Sequence, residues 1–125
     1  AEVKGWRGEI VLGEDVAYVG RGEGWQERKS PLVQTREAAG LLTRLLRQAG
    51  LWLPLHTSVC LPKADPQEVV MALPEGRPLL AAVFCGPAAG QMLGQHIVSL
   101  PRGYAPWVGA AYAALERGMG LGVAA

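Results

Sequence analysis

The sequence predicts a single α+β domain across residues 1–125, in which a mainly antiparallel sheet is packed by two principal helices. Three observations lead there. Two stretches, Thr35 to Gly50 and Pro106 to Gly118, repeat apolar residues with helical period. Between and before them lie short apolar runs bounded by glycine and proline, the form of strands. Finally, Ala38, Leu41, Leu42, Leu45 and Ala49 recur 70 positions later as Val108, Ala111, Tyr112, Leu115 and Met119. Pro31 with Pro101, Arg47 with Arg117 and Gly50 with Gly120 keep the same offset. The spacing suggests internal duplication of a strand, glycine loop, helix, strand unit over residues 8–59 and 78–125.

The elements follow in order. Gly8 to Gly13 and Val16 to Gly20 read as two strands joined by a polar Glu14-Asp15 turn. Gly20 to Pro31 is polar, rich in glycine and without a period, so a surface loop is expected. In the first helix Thr35 is the expected cap, Arg44 and Arg47 suit the negative end of the dipole, and Gly50 is the stop. Leu51 to Val59 reads as a strand, with Pro54 favouring an edge or a bulge. Asp65-Pro66-Gln67-Glu68 has the form of a helix start, and Val69 to Leu73 would complete two turns, although the Val69-Val70 pair also suits a strand. Leu79 to Cys85 is an unbroken apolar run, as expected of a central strand buried on both faces. Gly86 to Gly94 reads as a loop or one short helical turn, and His96 to Leu100 as a further short strand.

Composition limits the function classes. A net charge of +1 argues against nucleic acid as the principal partner, because backbone binding needs a basic surplus. No apolar run approaches the roughly 20 residues that span a bilayer, and no leader-like pattern opens the chain, so a cytoplasmic protein without a membrane partner is expected. Asparagine is absent and arginine outnumbers lysine nine to three, a bias reported for thermophile proteins that GC-rich codon usage also produces. Cys60 and Cys85 are either two buried thiols or one bridge. Residues 63–125 hold four basic and four acidic residues against eight and seven in residues 1–62, so the second half should face a core or another subunit.

Few constellations carry chemistry. The Gly20-Arg21-Gly22-Glu23-Gly24 loop follows a strand but lacks both an adjoining helix and a Lys-Ser/Thr pair, so a phosphate cradle is not expected. His56, Cys60, Cys85 and His96 lack metal-clip spacing, and Cys85 closes an apolar strand where a thiolate is poorly stabilised. No catalytic residue, metal ligand or cofactor is therefore assigned. The candidate ligand contacts are aromatic: Tyr18, Phe84, Tyr104 and Trp107 as the floor of a cleft, and Trp25 beside Arg21, Arg28 and Lys29. Around the second helix, Gly109, Ala110, Ala113 and Ala114 are small, which suits close approach of a second copy and a homodimer.

The stretch His96 to Gly118, HIVSLPRGYAPWVGAAYAALERG, resembles the second repeat of the bacterial effector-binding domains, the gyrase-inhibitor-like or SOUL family. The resemblance implies a duplicated α+β domain in which a strand, a Gly/Pro/Tyr loop and a helix with an Ala-Tyr-x-x-Leu core occur twice. It also implies a small-molecule pocket. The acidic residue that serves cationic ligands in that family has no counterpart in Leu121 to Val123, so that role is not carried over. The functional expectation is a non-enzymatic binding or self-assembly module, with an effector-binding domain as the alternative and a thiol- or His-dependent enzyme as the third.

Overall fold

The computed structural model describes residues 1–21, 24–76, 81–100 and 105–119, with the side chains of residues 21, 105–108 and 118–119 outside the description. The chain is α+β, with three helices and two sheets among these residues. A four-stranded sheet runs β4-β3-β2-β6, built from β2 (Glu9–Gly13), β3 (Val16–Arg21), β4 (Gly24–Lys29) and β6 (Val69–Ala72). A three-stranded sheet runs β1-β5-β7, from β1 (Glu2–Val3), β5 (Thr57–Leu61) and β7 (Ala81–Cys85). The helices are α1 (Pro31–Gln48), α2 (Ala89–Ser99) and α3 (Ala105–Met119).

The β2–β3 hairpin follows from alternation. Ile10, Leu12, Ala17 and Val19 are buried, and the register sets Ile10 opposite Val19 and Leu12 opposite Ala17, so all four point into one core. The turn is tight at Gly13, where an added Cβ would collide with the Val16 carbonyl. Across the core lies β5, whose Val59 and Leu61 are fully buried and join the same cluster with Val83 and Cys85 of β7. Residues aligned across these strands share a face, so Cys60 and Phe84 point the other way, where Phe84 stacks against His96 of α2 at 5.4 Å. Thus α1 covers β5 and β1, α2 covers β5 and β7, and α3 packs on α1.

Antiparallel pairing is confined to β2–β3–β4, whereas the three-stranded sheet is parallel throughout and β6 joins β2 in parallel. Long crossovers make this so: α1 separates the hairpin from β5, and more than a dozen residues separate β5 from β7. Among the described residues β5, not the Leu79 to Cys85 run, is the central strand, and β7 pairs there on one side only; Leu79 and Leu80 lie outside the described residues.

Several local expectations are corrected. α1 begins at Pro31, and Ser30 rather than Thr35 caps it, accepting from the Leu32 N–H at 3.2 Å. Thr35 lies buried inside the helix and donates back to the Leu32 carbonyl at 2.9 Å. The deeply buried residues are consequently Leu32, Val33 and Leu46, while Leu42 and Leu45 are half-buried and Ala38, Leu41 and Ala49 face outward. Gly50 does stop the helix at φ 76°, with its N–H on the Arg47 carbonyl and the Leu51 N–H on the Leu46 carbonyl, both at 2.9 Å. Leu51 to His56 has no regular structure; the strand starts at Thr57.

The expected loop from Gly20 to Pro31 contains β4, paired antiparallel to β3 from Val16–Lys29 to Arg21–Gly24. Every residue of β4 is exposed, so no alternation marks it. Asp65 caps as expected, accepting from the Gln67 N–H at 2.9 Å, but only a 3-10 turn, Pro66–Glu68, follows before the β-branched Val69-Val70 pair enters β6. His96 to Ser99 belongs to α2 rather than to a strand, and Leu100 caps its end; Ala89, Leu93 and His96 form its inward stripe, continued by Leu100. The resemblance therefore begins in helix where its pattern has a strand. Strand β3 is followed by β4 and β7 by α2, so the described elements do not repeat in order.

Candidate functional site

The predicted contact residues are divided between the two sheets. Tyr18 on β3 and Trp25 on β4 lie on the outward face of the four-stranded sheet, both about half exposed. Trp25 stands opposite Gly20, and a Cβ added there would meet its ring at 3.2–3.3 Å, so the indole lies over the glycine and anchors β4 to β3. Phe84 is on the other sheet, against His96. Tyr104 lies outside the described residues, and Trp107 is in α3 with its side chain outside the description. Of the small residues on α3, Gly109 and Ala110 are exposed, Ala113 is half-buried, and Ala114 is buried with Ala111 in the chain's own packing. Tyr112, placed by its spacing on the apolar face, is exposed; its hydroxyl bonds Glu116 one turn on, which raises its pKa.

Both cysteines are free. Cys60 and Cys85 stand on adjacent strands with their side chains on opposite faces of the sheet, which precludes a bridge between them. Burial first, and the neighbouring Cys60 second, raise the Cys85 pKa, so its thiol stays protonated near neutrality. His96 is on the other face from Cys85, so the two do not form a nucleophile and base pair. Among the described residues no group of three or more His, Cys, Asp or Glu is placed to hold a metal, and no helix is long and apolar enough to cross a membrane.

Three features were not singled out by sequence. At β1, Glu2 and Lys4, the residue that follows the strand, form an ion pair at 3.2 Å, with both side chains about two-thirds buried. On α1, which packs against that strand, Gln34 holds a buried Oε1 with no hydrogen-bond partner among the described residues. At the far end of α1, Thr43, Leu46, Arg47, Leu51, Trp52 and Leu53 line a hollow of about 220 Å³. Arg47 stacks over the Trp52 ring at 4.5 Å from its centroid. Only the i, i+4 relation of Thr43 and Arg47 was visible in sequence; the return of Leu51 to Leu53 over the helix end depends on the Gly50 turn.

On α2 several large apolar side chains remain exposed around the inward stripe, Met92 and Ile97 flanking it on either side and Val98 opposite it. That stripe is narrow, and Met92, Ile97 and Val98 remain 44%, 58% and 79% exposed. Fold and site together define an α+β chain whose second helix leaves large apolar side chains exposed. No family model, curated protein or solved structure matches the chain.

Proposed function

We propose that the chain is a non-enzymatic binding and self-assembly module whose contact surface is the exposed part of α2 around Ile97 and Val98, met by a second copy. The observation that carries this reading is the exposure of Met92, Ile97 and Val98 on a helix with a single charged or titratable side chain, His96. Ile97 and Val98 are adjacent and together expose more apolar surface than singly scattered side chains, the feature that marks contact surfaces. Covering such side chains is worth roughly 1.5–3 kcal/mol each when exposure is fully removed. An isologous contact counts each residue twice, so the gain is comparable to the 4–15 kcal/mol estimated for association. The result is a reversible dimer rather than an obligate one.

Sedimentation velocity over a wide concentration range tests it. The native chain is expected to show a concentration-dependent shift from monomer to dimer, and the Ile97→Glu/Val98→Glu double variant is expected to remain monomeric with an unchanged circular dichroism spectrum. A native chain that stays a monodisperse monomer at millimolar concentration would sink the proposal, as would a dimer indifferent to both substitutions.

A further inference from the structure

The hollow at the end of α1 has the chemistry of a ligand site, and we infer that it binds a small carboxylate carrying an aromatic or branched apolar body. Its cation, Arg47, lies at the surface over the Trp52 ring, which is itself 73% exposed. Arg36, Lys29 and Lys4 are each engaged by carboxylates, whereas Arg47 makes no ion pair or hydrogen bond among the described residues and is held only by the Trp52 ring. A guanidinium held over an indole face keeps its N–H groups available for a carboxylate, which it can receive through two parallel hydrogen bonds. Leu46, which is 2% exposed, and Leu51 and Leu53 supply the apolar wall, and Thr43, one turn before Arg47 on α1, adds a hydroxyl that can donate or accept.

Charge and size select the ligand class. A helix C-terminus carries partial negative charge, which disfavours an anion. Here the terminal carbonyls of Leu46 and Arg47 are already taken by the N–H groups of Ala49, Gly50 and Leu51 at 2.9–3.0 Å, so the formal charge of Arg47 decides the sign. A cavity of about 150 Å³ admits benzene. The hollow's 220 Å³ therefore accommodates one ring and a carboxylate-bearing substituent, with the ring on the leucines and the carboxylate at Arg47. Because the site is shallow and partly open, and a ligand of this size gains little per atom, a Kd of about 1 mM is expected.

The test uses the ¹⁵N-labelled full chain, with the indole N–H resonance of Trp52 assigned by Trp52→Phe. Benzoate and 3-phenylpropionate are titrated beside benzyl alcohol and benzylamine, which share the ring but not the negative charge. A saturable shift of the Trp52 resonance with the acids, absent with the amine, is expected. Arg47→Met should weaken acid binding at least tenfold while leaving the melting temperature within a degree or two, and Arg47→Lys should recover only part of it. The inference is overturned if the alcohol binds as tightly as the acids, if Arg47→Met binds like the native chain, or if no shift saturates at concentrations well above the expected Kd. It is equally overturned if the acids shift Trp6, Trp25 or Trp107 in place of Trp52.

Discussion

Replacing Gln34 by leucine should make the protein more stable. Gln34 lies in the first turns of α1, its backbone N–H bonded to the Ser30 carbonyl at 3.2 Å, and its Oε1 is buried without a donor among the described residues. A buried oxygen that gives up water and receives nothing in return costs about 1–3 kcal/mol. Leucine removes that oxygen, keeps a similar helix propensity and buries an apolar stem in its place. The shape is not identical, and part of the gain is lost to repacking, which leaves a net stabilisation of about 1 kcal/mol. For a chain of this length that raises the melting temperature by roughly 3–5 °C. Urea unfolding followed by tryptophan fluorescence and by far-ultraviolet circular dichroism measures it, provided both probes give one transition. A higher midpoint at unchanged slope is the expected result. If Gln34→Leu instead lowers stability by 1 kcal/mol or more, Oε1 has a partner and the reasoning fails. Gln34→Glu sharpens the contrast, because an ionised carboxylate in the same place should destabilise.

Ser30 is expected to be costly to remove, since its hydroxyl donates to the Gly13 carbonyl at 2.6 Å and caps α1 at once, while its N–H bonds the Asp15 carbonyl at 3.0 Å. Ser30→Ala should lose about 2 kcal/mol in urea unfolding, and a loss below about 0.5 kcal/mol would show that the hairpin and helix hold together without it. Cys85 should make stability depend on alkaline pH. Its folded pKa lies above the ordinary 9.0, so the folded state holds the proton more tightly. That contribution is complete below about pH 8 and is lost as pH rises through the shifted value. The stability difference between the native chain and Cys85→Ala is therefore expected to be constant near neutrality and to change sign-consistently against the native chain above pH 9, read from urea midpoints at each pH. A difference that grows in favour of the native chain there would reverse the assignment.

What could be read from the sequence tracks how each element is buried. The hairpin was legible because only one of its faces is covered: Ile10, Leu12, Ala17 and Val19 alternate with exposed or half-exposed neighbours, and period two survives in the letters. β4 left no such trace, since all six of its residues are exposed and its place is fixed by backbone pairing to β3. α1 was legible as a helix but not in its rotation. Ala38, Leu41 and Ala49 complete an apolar series as regular as the true one, and what selects Leu32, Thr35 and Leu46 instead is the tie from Ser30 to Gly13 and from Arg36 to Glu14 and Asp15, contacts across the hairpin turn that periodicity does not encode. α2 was read as loop and strand because glycines at 90 and 94 break its composition; they sit on its exposed side, where a missing side chain leaves the inward stripe intact. The same distinction governs the sites. Tyr18, Trp25 and Phe84 were chosen for residue type, yet two sheets keep Phe84 apart from the others. The hollow beside Arg47 is assembled from ordinary residues brought together by one left-handed glycine, Gly50, and the orphaned oxygen of Gln34 is defined by what surrounds it. Neither has a sequence signature, because each is a property of packing across chain segments whose order in sequence leaves their approach unspecified.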